Sequence, residues 1–160
     1  PPFSSIRGHT RLHEKSRGLG DVYKRQEVII VLGGTGVVGV SVEQELAAYA
    51  LSGRVERLAG DDVYGTAVAI SEWAQQDGAA TAYLATSGTY VDALAGIELA
   101  PRHRDPILHV GDELEPAVES ELARLGATDV VALGGPAAVT PRVAMRLWNI
   151  LNNNDMPLWK

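Results

Sequence analysis

Ser87, Thr86 and Asp92 fall together in the stretch 85–94 (Ala-Thr-Ser-Gly-Thr-Tyr-Val-Asp-Ala-Leu), directly after an apolar run of strand length. Hydroxyl side chains just past a parallel strand stand where open α/β sheets bind their ligands. Asp92 lies just inside the following helix, where the helix dipole favours a carboxylate. A serine nucleophile needs a positioned base, and in hydrolases of this architecture a Gly-x-Ser-x-Gly elbow. Ser87 has no such elbow, so the stretch reads as binding, and no catalytic residue is assigned. A second group is 57–67 (Arg-Leu-Ala-Gly-Asp-Asp-Val-Tyr-Gly-Thr-Ala). Arg57, at a strand end, can fork onto a carboxylate or phosphate, or pair with Asp61 or Asp92. Gly60 turns the chain, Asp61 or Asp62 caps a helix, Tyr64 offers an amphipathic ring, and Thr66 sits in the first helical turns. His103 reads as loop and His109 as strand. No His-x-x-x-His or paired-carboxylate spacing occurs, so no metal ligand is assigned.

A glycine motif suggests different chemistry. Residues 34–39 (Gly-Thr-Gly-Val-Val-Gly) follow a strand and open a helix, and Glu56 lies about 20 residues on, as in a dinucleotide-binding fold. Backbone N–H groups there would meet a pyrophosphate at the helix N-terminus. Two features oppose this. The same turn recurs at 134–139 (Gly-Gly-Pro-Ala-Ala-Val) without the later glycines, and no Lys stands between Gln26 and Lys160 to complete a Tyr-x-x-x-Lys pair. The other reading is that Gly33–Gly34 and Gly134–Gly135 each make a tight strand-to-helix turn. No cofactor is assigned. An NAD(P)-binding Rossmann-type enzyme using Gly34 to Gly39 remains the alternative.

The elements that must position these groups alternate in type. Apolar, β-branched runs at 28–32, 81–85, 107–110 and 130–133 read as buried strands, with a short one at 54–58. Helical spacing covers 37–51, 63–76, 90–100, 115–125 and 140–151; Pro101 ends the third, Pro116 suits a first turn, and Gly126 suits a C-cap. Five β-α alternations predict an α/β fold, a parallel sheet with helices on both faces, Rossmann-like or Toprim-like in its layering.

Composition bounds the function. The chain has 160 residues, enough for one core, and no cysteine, which excludes a disulfide framework, a thiolate metal site and a cysteine nucleophile. No apolar run approaches the roughly 20 residues of a membrane span. Residues 1–26 carry six of the 14 Lys/Arg and two of the 20 Asp/Glu, with no apolar periodicity and no signal-type apolar stretch. Residues 20–26 read as translated cloning adapter, and 1–26 is set aside as a non-native or disordered segment. Eight basic against 18 acidic side chains then remain over 27–160, a net charge of −10 where the whole chain has −6. That sign opposes a nucleic-acid partner.

An internal repeat appears at an offset of 101 residues. Val28 to Val38 aligns with Asp129 to Val139, with Gly33 on Gly134, Val42 on Val143 and Leu46 on Leu147. Residues 27–53 thus read as the C-terminal part of a preceding repeat, 54–151 as one complete repeat, and 152–160 as a polar tail. Read in order, Arg57-Leu-Ala-Gly-Asp61 with Tyr64, Thr66 and Ala67, then Ala85-Thr86, Asp92-Ala-Leu94, Pro106-Ile107-Leu108, and Val131-Ala-Leu-Gly134-Gly135 resemble the cell wall binding repeat 2 family of Gram-positive surface proteins.

The resemblance implies a non-catalytic, secreted module. It would hold a surface protein non-covalently to an anionic secondary wall polymer, teichoic-acid-like or a phosphorylated polysaccharide, with three sister repeats packed about a pseudo-threefold axis. A pure repeat-packing assembly module is the second alternative. The ligand-binding residues expected are Arg57, Asp61, Tyr64, Thr66, Thr86, Asp92, Arg102 and Arg104; Gly33, Gly34, Gly60, Pro106, Ile107, Leu108, Gly134 and Gly135 are expected to be structural. Three positions depart from the family pattern. Val63 stands where Arg often precedes the Tyr, Val91 where Pro is common, and His109 where a second Leu is common. With the net −10, the first leaves fewer cations for a polyanion, so local cations or a bridging divalent ion must carry the contact. Neither a membrane nor a nucleic acid is expected as partner.

Overall fold

The computed structural model describes residues 26–88, 91–96 and 105–152. Ten elements alternate along them: β1 Gln26–Leu32, α1 Val40–Ala47, β2 Ala50–Leu58, α2 Val63–Ala74, β3 Thr81–Thr86, α3 Val91–Gly96, β4 Ile107–Val110, α4 Pro116–Leu125, β5 Asp129–Ala132 and α5 Pro141–Leu151. The chain divides into two compact units, residues 1–30 with 40–56, and 31–39 with 57–160. The α/β class and parallel strands expected from the alternation are present. The strands, however, form a two-stranded sheet, β1-β2, and a three-stranded sheet in the order β4-β3-β5.

In the three-stranded sheet both pairings are parallel, Tyr83 lying opposite Ile107 on one side and Val131 on the other. β3 is therefore central. Its residues Ala82 to Ala85 are all buried, without alternation, because both faces are covered. On one face Ala82, Leu84, Leu108 and Val110 pack with Val118, Leu122 and Leu125 of α4 and Val143 and Leu147 of α5. On the other, Tyr83, Ala85 and Leu133 pack with Ala93 of α3 and Ile107. Complete burial of Leu84 and Leu108 stabilises by about 2 kcal/mol each.

Local signals explain the helix ends. α4 carries Pro116 in its first turn and stops at Gly126, whose φ of 67° lets its N–H reach back to the carbonyls of Leu122 and Ala123. α5 is capped by Thr140, whose hydroxyl accepts from the Val143 N–H. The first helix corrects the sequence expectation. The predicted helix 37–51 is only Val40–Ala47, and β2 starts at Ala50 rather than at 54. At its front, residues 34–38 turn back on the Gly34 carbonyl, which accepts from the N–H groups of Val37 and Val38. At its end, pairing with β1 overrides helical spacing: the Ser52 hydroxyl donates to the Glu27 carbonyl, and Gly53, at φ 65°, is passed inside the strand. The expected helix 90–100 is seen as α3; residues 90 and 97–100 lie outside the described residues. Among the described residues no helix is long and apolar enough to cross a membrane.

His109 lies in β4 as a strand residue, opposite Ala85. Its Nδ1 is buried with no hydrogen-bond partner among the described residues. A buried polar atom without a partner costs free energy that an apolar side chain of similar size does not. His109→Leu is expected to raise stability by about 1 kcal/mol, read as a higher urea midpoint at unchanged slope. An unchanged or lower midpoint would show that the imidazole is satisfied.

Candidate functional site

The parallel strands β3, β4 and β5 present their carboxyl ends at one edge, and Tyr64, Thr86 and Asp92 of the expected binding residues stand there. Their positions depend on how α2 starts. Asp62 is its N-cap, Oδ1 accepting from the Gly65 N–H at 2.7 Å. This settles the choice between Asp61 and Asp62. The Thr66 hydroxyl donates to the Asp62 carbonyl at 2.8 Å and accepts from the Gly60 N–H at 3.1 Å. Thr66 is thus engaged inside the turn that it closes. Asp61 is exposed beside it.

This turn aims Tyr64 across the sheet end. Its hydroxyl is 2.9 Å from Ser87 Oγ, beyond β3. It also lies against Gly111, beyond β4, where an added methyl would come within 2.7 Å of the phenol oxygen. The Ser87 N–H donates to the Val110 carbonyl, and Thr86 Oγ1 accepts from the Gly88 N–H at 3.1 Å, so the chain is held where it leaves β3. Ser87 therefore has a phenol as neighbour, not an imidazole. Farther along the same edge Asp92 places its carboxylate against Gly134; a methyl there would come within 2.7 Å of Oδ2. Sequence reasoning missed Gly65 and Gly111. Each leaves room for a neighbour that only the fold brings near: the Gly60 backbone for one, the Tyr64 ring for the other.

Arg57 does not join this group. Its Nη1 donates to the Gly33 carbonyl at 2.5 Å and its Nη2 to the Val38 carbonyl at 2.9 Å. Its fork clasps the Gly33–Gly34 turn. Pro106, Ile107 and Leu108 belong to the sheet: Pro106 and Leu108 are buried, and the Pro106 carbonyl accepts from the Tyr83 N–H. Arg102 and Arg104 lie outside the described residues. Among the described residues no group of three or more His, Cys, Asp or Glu could hold a metal ion.

The hydroxyls at the sheet end and Arg57 fall within the span of a known domain. The family model of cell wall binding domain 2 matches residues 57–144. The chain belongs to that family. The N-acetylmuramoyl-L-alanine amidase LytC of Bacillus subtilis (strain 168) is 31% identical over 94 residues, 58% of this chain and 19% of the amidase. Among solved structures, Cwp8 from Clostridium difficile superposes with a TM-score of 0.69 at 28% identity, covering 80% of this chain and 21% of Cwp8. Cwp6 from the same organism superposes at 0.57 and 27% identity, covering 59% of this chain and 15% of Cwp6. The chain thus spans about a fifth of these relatives' length. The cell wall binding domain accounts for Arg57 through Ala144, so Arg57, Tyr64, Thr86, Asp92 and Gly134 are all domain positions.

Proposed function

We propose that this chain is a non-catalytic anchoring module that binds an anionic secondary wall polymer and so holds a secreted parent protein on the cell surface. Membership of the cell wall binding domain 2 family carries the reading. The polar mouth at the sheet end supports a binding role: the Tyr64 and Ser87 hydroxyls lie within hydrogen-bond distance of each other. In this reading the chemistry of a protein such as LytC resides in the rest of its length. The overall negative charge makes polymer capture a local matter, and Arg102 and Arg104 are the proposed cations. Sister repeats, three to a set, complete the assembly; exposed Met145 and Trp148 on α5 support a face that is covered in it.

The test is co-sedimentation of the chain with purified Gram-positive wall. Retention is expected on polymer-bearing wall, to be lost from wall stripped of its anionic polymer, and to weaken with added salt. Arg102→Gln with Arg104→Gln should weaken it while leaving the unfolding midpoint unchanged. Equal retention on stripped wall would overturn the reading. Saturable binding of NAD or NADP would replace it with the Rossmann-type alternative.

A further inference from the structure

β1 and β5, 101 residues apart, end in the same turn. Gly33 has φ 97° and Gly134 φ 99°. The Gly34 carbonyl accepts from Val37 and Val38 at 3.0 and 3.1 Å; the Gly135 carbonyl accepts from Ala138 and Val139 at 2.8 and 3.1 Å. The helices that follow start at Val40 and Pro141, at the same offset. The two strands differ in what lies beside them. β1 has β2 next to it, with the Gly33 N–H donating to the Leu58 carbonyl and Arg57 forking onto the Gly33 and Val38 carbonyls. β5 is an edge strand, paired with β3 alone among the described residues.

We infer that the outer edge of β5, with the turn 134–139, is the docking site for an arginine-bearing strand of the β2 kind from a further repeat. The inference deepens the array reading above. Backbone groups of successive strand residues point to opposite sides. The N–H groups of Asp129 and Leu133 donate to Ala80 and Leu84, towards β3. Those of Val130, Ala132 and Gly134 therefore point to the open side, as the matching Gly33 N–H points to β2. An open edge of this kind is a template for another strand. Beside it Val130, Ala132, Val139, Leu147, Trp148 and Leu151 line an apolar groove.

Charge selects the occupant. An arginine seated on the Gly134 and Val139 carbonyls, as Arg57 is seated on Gly33 and Val38, would arrive next to the Asp92 carboxylate, which already lies against Gly134. An acid at that point favours a guanidinium and disfavours a phosphate.

The probe is a synthetic peptide with the sequence of residues 50–59, titrated into the full chain to roughly millimolar, the effective concentration that a short covalent link supplies. Hydrogen exchange at the Val130, Ala132 and Gly134 amides should slow in a saturable way, with those of Asp129 and Leu133 unchanged. A peptide carrying Arg57→Gln should bind roughly tenfold more weakly, and Asp92→Asn in the chain should weaken the parent peptide while the unfolding midpoint holds. No added protection at Gly134, or equal binding of both peptides, overturns the inference. Wall retention is measured without peptide, so its failure and this one are told apart.

Discussion

Gly60→Ala is expected to destabilise this domain strongly, although it adds only a methyl group. The added carbon would sit 2.5 Å from the Cα of Gly65 and closer still to its carbonyl carbon. Both are backbone atoms at the start of α2, so no rotamer change relieves the contact. The turn must open, and with it go the Gly60 N–H bond to Thr66 and the Asp62 cap on Gly65. Overpacking of this kind costs up to about 3 kcal/mol, which for a chain of this size lowers the thermal midpoint by roughly 10 °C. Thr66→Val is the control. It removes the same hydroxyl bonds with no new clash, and should cost about 1 kcal/mol. Equal losses from the two would show that the hydrogen bonds, not the close approach, explain the glycine. Because Tyr64 is aimed by this turn, Gly60→Ala should also loosen the Tyr64–Ser87 contact, seen as increased mobility of the Tyr64 ring by NMR.

Arg124→Met is expected to be the most damaging change on α4. Glu121 is 2% exposed, and Arg124 meets both of its oxygens, Nε to Oε2 at 2.7 Å and Nη2 to Oε1 at 2.8 Å. The Arg124 Nη1 also donates to the Gln75 carbonyl, at the C-cap of α2. The hydrogen bond to Glu121 holds the guanidinium above its ordinary pKa, so the arginine stays charged throughout the working pH range. Removing one partner of a buried pair costs about 3–5 kcal/mol. Here Arg124 is 34% exposed, so water can partly replace it, and about 2–3 kcal/mol is expected. Replacing both, Glu121→Leu with Arg124→Met, should recover most of the loss, because an apolar pair needs no counter-charge. Chemical denaturation of the two single variants and the double variant gives the coupling directly. A double variant as unstable as Arg124→Met would show that the Gln75 contact, not the ion pair, is what matters.

The core and its elements were legible from the residues alone. Continuous apolar runs at 81–85 and 107–110 marked strands covered on both faces, and Pro116, Gly126 and Thr140 marked helix ends within a residue or two of where they fall. These signals are local: φ limits, missing N–H groups and cap hydroxyls act on the chain within one turn. Periodicity failed at residues 48–51, where apolar spacing suited a helix yet pairing with β1 drew the backbone into β2. That pairing joins positions about 25 apart, beyond the reach of any local window.

Residue types and spacing by themselves determined an alternating α/β chain, a repeat at an offset of 101, and the set of polar groups past the strands from which a binding edge is drawn. Tertiary structure decided what each of those groups does. Thr66 and Asp62 turn inward to close the helix start, Tyr64 finds Ser87 across the sheet end, and Asp92 comes to rest against Gly134. Arg57, which in sequence could serve an anion or an acid, spends its fork on the Gly33 and Val38 carbonyls. The reason is physical: a hydrogen-bonding side chain is committed by whichever partner the fold brings within about 3 Å. For Arg57 and Tyr64 that partner lies roughly 20 residues away in the chain.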